Sequence, residues 1–264
     1  MPRNANPMYV QKPFSRRHLS QLFQGGDPDK IISLLRNAFV DYYIHVDDCD
    51  IALDSNRWAT AVTAGGAPTA FALNVQRGGA FRGATGTTDD GVTAIAGVNE
   101  IFDAADAPFM VIRWKAPAAV TGFSFEIGFR DPATDEALPT VTDIDTPAAG
   151  NGVTDCVCVH MDTDQTLTTS ALASIGTTDA VAKTNIGTYT PTAAKWQLMV
   201  IGLKANFGIC SIWNDNAWVA TTTIATGPDA AILMNPYALF RTRNTTSKQI
   251  DIDFIAVGHE RNAT

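Results

Sequence analysis

Glutamate is scarce in this sequence: of its 27 acidic residues only Glu100, Glu126, Glu136 and Glu260 are Glu, and the rest are Asp. Asp competes with helical hydrogen bonds and favours turns and caps, so the bias argues against a mainly helical protein. The four Glu lie far apart and form no E-x-D-x-E arrangement, which takes away the main support for a glucanase-like hydrolase with its pair of carboxyls. Cysteine is also rare. Cys49, Cys156, Cys158 and Cys210 match no zinc or secreted-scaffold spacing, and free buried thiols are expected. No apolar stretch is long enough to span a bilayer and no signal-like segment follows Met1, so no membrane partner is expected. A nucleophile elbow G-x-S-x-G is missing, GFSFE around Ser124 being a false start. Gly25-Gly26 and Gly78-Gly79 precede no phosphate-binding G-K-[ST]. No residue is nominated as catalytic, and the chain is expected not to be an enzyme.

The charge is unevenly placed. The chain carries a net charge of −8, yet its first forty residues hold Arg3, Lys12, Arg16, Arg17, Lys30 and Arg36 against only Asp27 and Asp29. An acidic body repels nucleic acid and anionic membrane, whereas a basic arm suits an acidic protein surface. Pro2, Pro7 and Pro13 break residues 1–26 into an extended arm. Asp27 as N-cap, Pro28 at the first helical position and an apolar face of Ile31, Leu34, Leu35, Ala38 and Phe39 then predict one short helix. The chain thus divides into an arm and helix for attachment, 1–41, and a β-sandwich, 42–264. The arm offers Arg3, Lys12, Phe14, Arg16, Arg17, Leu22 and Phe23 for partner binding.

From Tyr42 onward, strand-like stretches alternate with Gly, Asp, Thr and Pro clusters. FSFEIGFR sets Phe123, Phe125, Ile127 and Phe129 against Ser124, Glu126, Gly128 and Arg130, the period of a strand with one buried and one wet face. Further strands are expected at 70–76, 79–83, 110–115, 155–161, 167–173, 196–204, 207–213, 218–223, 237–242 and 250–258, the pattern of a two-sheet sandwich. Cys156, Cys158, His160, Asp162 and Asp164 share one strand face but stretch too far for a single ion, so no metal and no other cofactor is expected. Asp47, Asp48, Asp50 and Asp54, with the pairs Asp143/Asp145 and Asp251/Asp253, follow no calcium-loop pattern and read as solvated turn carboxylates. Among the tryptophans, Trp196 and Trp213 sit in apolar surroundings and read as core. Trp58, Trp114 and Trp218 lie where strands meet loops, and Trp58 and Trp218 are candidate glycan-binding platforms.

The C-terminal third resembles concanavalin A-like (laminin-G-type) jelly-roll modules. The residues are Trp196, Leu198 and Val200 in one strand, Ile209 to Trp213 leading to the turn Asn214-Asp215-Asn216, the return Trp218-Val219-Ala220, and the terminal Ile250 to Val257. The turn lacks the group's usual Asn-Gly. The resemblance implies an all-β, concanavalin A-like two-sheet antiparallel jelly-roll sandwich, here preceded by the arm and one short helix. The whole chain, a basic arm before an acidic Thr/Ala/Gly-rich sandwich, resembles a structural protein of a tailed bacteriophage. That resemblance implies a virion protein assembled in the host cytoplasm, most simply a capsid decoration (cement) protein. Its partners would be the major capsid protein or another virion protein and further copies of itself, as a trimer or dimer. A glycan-binding module on a phage tail or fibre is the alternative, and a glucanase-like hydrolase the remote one.

Overall fold

The computed structural model describes residues 42–260 except 50–51, 75–78, 99–101, 134, 142–149, 166–168, 177–181, 205–206, 226 and 230–231. The predicted arm and helix at 1–41 lie outside the described residues. The strands, in chain order, are β1 (Tyr42–Asp47), β2 (Trp58–Val62), β3 (Thr69–Leu73), β4 (Phe81–Ala84), β5 (Val92–Gly97), β6 (Phe102–Asp103), β7 (Phe109–Lys115) and β8 (Phe123–Arg130). They continue with β9 (Cys156–Asp162), β10 (Ala171–Ile175), β11 (Ala182–Asn185), β12 (Trp196–Lys204), β13 (Phe207–Asn214), β14 (Ala217–Ile224), β15 (Leu233–Thr242) and β16 (Gln249–Glu260). Among the described residues the one helical piece is a 3-10 turn at Ala104–Asp106, capped by the Asp103 carboxylate on the Ala105 N–H.

Two antiparallel sheets face each other. The first runs β14-β13-β12-β7-β16-β4-β3, with β1 pairing the far half of β16, and the second runs β11-β10-β9-β8-β15-β5-β2, with β6 beside β15. Period-2 alternation sends Met110, Ile112 and Trp114 of β7 and Phe123, Phe125, Ile127 and Phe129 of β8 into the space between the sheets. Trp114 sits at the centre, with ring centroids 5.2 Å from both Phe125 and Phe240. Gly128 is required where β8 meets β9, because a Cβ there would lie 2.1 Å from the Val157 carbonyl oxygen.

The outer faces are buried too, which departs from the expected wet face of FSFEIGFR. Ser124, Glu126 and Arg130 are no more than 1% exposed. Ala137, Val141 and Val153, from the connection between β8 and β9, pack over Cys156, Cys158, Tyr237 and Leu239 on that side of the second sheet. On the outer side of the first sheet Val111, Leu198, Val200, Trp213 and Phe254 are likewise buried. The middle of the hairpin of β12 and β13 is therefore apolar on both faces for a packing reason: from Leu198 to Ile201 and from Cys210 to Trp213 both faces are shielded from water.

The β13–β14 turn departs from the usual Asn-Gly without strain beyond what its residues tolerate. Asp215 (φ 51°) and Asn216 (φ 66°) both adopt the left-handed conformation of a two-residue hairpin turn, and Asp and Asn are the non-glycine residues that enter it most readily.

Candidate functional site

Of the expected binding residues, Arg3, Lys12, Phe14, Arg16, Arg17, Leu22 and Phe23 lie outside the described residues. Trp58 is corrected: it opens β2 on the inward half of the alternation and is 1% exposed, so it offers no platform. Trp114 is buried for the same reason. Trp218 remains 53% exposed, the largest aromatic surface among the described residues. Trp196, expected in the core, is instead half-buried on the outer face of the first sheet, with the Arg113 guanidinium 5.4 Å from its ring centroid.

Register places these rings. Arg113 pairs with Leu198 and Leu198 with Trp213, which pairs in turn with Trp218, so all four side chains share the outer face. One pleat further along, Asp251, Lys115 and Trp196 form a second transverse row. Strands lie about 4.8 Å apart, so Trp218 on β14 stands roughly 14 Å across the sheet from Lys115 on β7.

At the Lys115 end of this face lies a pocket of about 330 Å³, bordered by Lys115, Ala118, Thr246, Lys248, Gln249 and Asp251, among others. Its volume is near the lower end for small-ligand sites. Three connections build it. The turn after β7 is pinned to the one before β12 by Ala116 N–H donating to Lys195 O and Ala194 N–H to Pro117 O, both at 3.0 Å. The segment before β16 is held by Lys248 N–H donating to Thr85 Oγ1 at 3.0 Å. Lys248 is 3% exposed, and its ammonium donates to Thr121 O at 2.8 Å. Burial pushes that ammonium down from its ordinary value. Asp251 accepts two bonds from Arg82, at 2.6 and 3.0 Å, which hold the Arg82 guanidinium above its ordinary value. Sequence reading missed Lys115, Lys248, Gln249 and the neighbouring hydroxyls, since they come from separate parts of the chain and form no motif. The only trace in the sequence is a lysine set directly before the apolar alternation of β16.

The second sheet carries a different polar group of residues on its outer face. Glu126 accepts from the backbone N–H of Thr140 (2.9 Å) and Val141 (3.1 Å) and from the Tyr237 hydroxyl (3.1 Å). His160 Nδ1 stands 3.4 Å from Glu126 Oε1, within ion-pair range but outside hydrogen-bond geometry. Burial pushes the Glu126 carboxyl up, but His160, the Thr140 N–H and Arg130 more than offset it, so it lies below the usual carboxylate range. Arg130 stacks 4.3 Å from the Tyr237 ring and donates to Thr140 Oγ1 and Glu136. Asp162 accepts from Arg241 at 2.6 Å and from Arg243 at 3.1 Å. Glu126, His160 and Asp162 are all 0% exposed; Glu126 and Arg130 fasten the overlying segment to the sheet, and Asp162 ties β9 to Arg241 and Arg243.

The string from Cys156 to Asp162 does line one strand face, and among the described residues no group of three or more His, Cys, Asp or Glu side chains is placed to hold a metal ion. Asp253 binds Arg113 and Asp251 binds Arg82, so this pair consists of ion-paired carboxylates, not solvated ones. Asp50, Asp143 and Asp145 lie outside the described residues. The four thiols are free and buried, as expected.

The chain matches no protein-family model and no curated protein. Solved structures do match it. A protein of unknown function from Shewanella oneidensis MR-1 superposes with a TM-score of 0.58 at 14% identity, over 90% of this chain and 96% of that one. Peanut lectin gives a TM-score of 0.54 at 10% identity, over 85% of this chain and all of the lectin. The carbohydrate recognition domain of Emp47p gives 0.52 at 11% identity, over 83% and 96%. Likeness at these identities establishes the architecture: the chain folds as a concanavalin A-like, lectin-type jelly-roll sandwich.

Proposed function

We propose that this protein is a glycan-binding module whose ligand lies along one end of the outer face of the first sheet, from the Lys115 pocket past Trp196 to Trp218. The observation that carries the reading is the exposed indole of Trp218 on the same face as a ligand-sized pocket rich in hydroxyl, amide and ammonium groups. Sugar rings present an apolar face and a rim of hydroxyls, which an exposed aromatic and a polar pocket answer together. The lectin-type neighbours, one of them a carbohydrate recognition domain, support the same reading by analogy of fold. Attachment to a phage particle through residues 1–41, as a decoration protein, is the subordinate reading and concerns residues outside those described.

A glycan array followed by titration calorimetry tests the proposal. Trp218→Ala is expected to weaken binding about tenfold, equivalent to roughly 1.4 kcal/mol of lost ring contact. Thermal stability should stay within about 0.5 kcal/mol of the parent, because the side chain is exposed. An array without any bound glycan, or a Trp218→Ala variant that binds as well as the parent, refutes it.

A further inference from the structure

The charge balance of the Lys115 pocket says more than that a sugar fits there. The chain is acidic overall, yet the pocket sets two ammonium groups, Lys115 and Lys248, against one carboxylate. That carboxylate, Asp251, is already neutralised by the two bonds from Arg82. Lys248 reaches only a carbonyl oxygen, Thr121 O. No carboxylate among the described residues pairs with either lysine. A nearly buried ammonium without a counter-charge is costly, and an anion seated beside it repays that cost.

We infer that the pocket takes an anionic sugar residue, one bearing a carboxylate or a sulfate, with Lys115 and Lys248 as its counter-charges. The inference rests on the glycan-binding reading and names the ligand class of that same site. Lysine ammoniums act as point charges without the fork of arginine, so they accept either anion. Thr246, Ser247 and Gln249 supply donors and acceptors for ring hydroxyls, and Ala118, Ala119 and Pro117 give an apolar edge for the ring itself. Trp196 and Trp218, further along the face, receive the neighbouring sugars of the chain. The net charge of −8 disfavours long, densely charged polyanions such as nucleic acid, which leaves a small anionic sugar as the ligand this pocket suits.

The test is calorimetry of the full chain with tetragalacturonate, a chondroitin sulfate tetrasaccharide and the neutral cellotetraose. The parent and the Lys115→Gln, Lys248→Met and Trp218→Ala variants are compared, each checked for folding by thermal melting. At about 0.05 M salt an acidic tetrasaccharide is expected to bind at least about tenfold more tightly than cellotetraose, and the preference should shrink at about 0.5 M. Lys115→Gln and Lys248→Met should each cut the affinity for the acidic tetrasaccharide far more than that for cellotetraose, so that the preference is lost, and Trp218→Ala should weaken every ligand alike. Preference for the uronate alone or the sulfated sugar alone upholds the inference and identifies the group. Equal binding of neutral and acidic ligands, sensitive to Trp218→Ala, overturns the anionic assignment and leaves glycan binding standing. Failure of all three tetrasaccharides to bind overturns both.

Discussion

Replacing Glu126 by Gln should loosen the 131–155 connection from the second sheet. The Glu126 carboxylate accepts three bonds, from the Thr140 and Val141 N–H groups and the Tyr237 hydroxyl, in a site with no access to water. A glutamine side chain keeps one carbonyl and turns an NH2 toward the remaining donors, so at least one backbone N–H is left facing another donor. The loss of a charge-assisted bond costs about 1.5–3 kcal/mol, and the Arg130 guanidinium also loses a nearby counter-charge. A total near 3 kcal/mol is expected, which shifts the urea midpoint down by about 1 M at an m-value near 3 kcal/mol/M. The pH profile carries the same signature. The folded carboxyl lies below its ordinary value, so its contribution is complete above the unfolded value of about 4.3 and is lost as pH falls through the folded value. Glu126→Gln therefore flattens the acid limb of stability while lowering the plateau at neutral pH. Urea melts between acid and neutral pH, with amide exchange at Thr140 and Val141, provide the assay. A midpoint within about 0.2 M of the parent at neutral pH, or unchanged exchange at Val141, refutes the idea that this carboxylate fastens the connection.

Two further outcomes follow from the packing. Gly128→Ala forces a Cβ to within 2.1 Å of the Val157 carbonyl oxygen, so β8 and β9 must part; a loss of about 3 kcal/mol, or roughly 10 °C in Tm, is expected in calorimetric scans. The thiols should be silent toward an aromatic disulfide reagent until the protein unfolds, because Cys49, Cys156, Cys158 and Cys210 are buried. Burial pushes the Cys210 thiol up to about 12, and Cys156 is raised both by its bond to Cys158 and by burial; rapid labelling at neutral pH without denaturant would contradict this.

The sequence made some strands legible to the residue and hid others. β8 and β12 begin and end where the alternation of FSFEIGFR and WQLMVIGLK says they should. β5, VTAIAG, escaped because it is buried at every position, and a strand shielded on both faces loses the polar beats that mark the period. The same physics misled the reading of β8: alternation shows which side chains face the core, but a covering segment from elsewhere can bury the polar side as well, provided its groups find partners, as Glu126 and Arg130 do. Trp58 and Trp196 exchanged roles because a ring at a strand end faces inward or outward by a single residue of phase. The pocket was illegible for a simpler reason. Its walls come from three connections distant along the chain, and only the pairing of β7 with β12 and β16 brings them together.

That pairing also sets an order of events during synthesis. β16, the last of the described strands to be made, lies in the interior of its sheet and is the seam to which β1, β4 and β7 are stitched. A ribosome must therefore deliver all the earlier strands before the layer can close, and until then the nascent chain presents open strand borders on both sides of an empty lane. Such a molecule has reason to rely on a holding chaperone until β16 emerges, and a stop codon placed before Gln249 would leave two half-sheets with nothing between them.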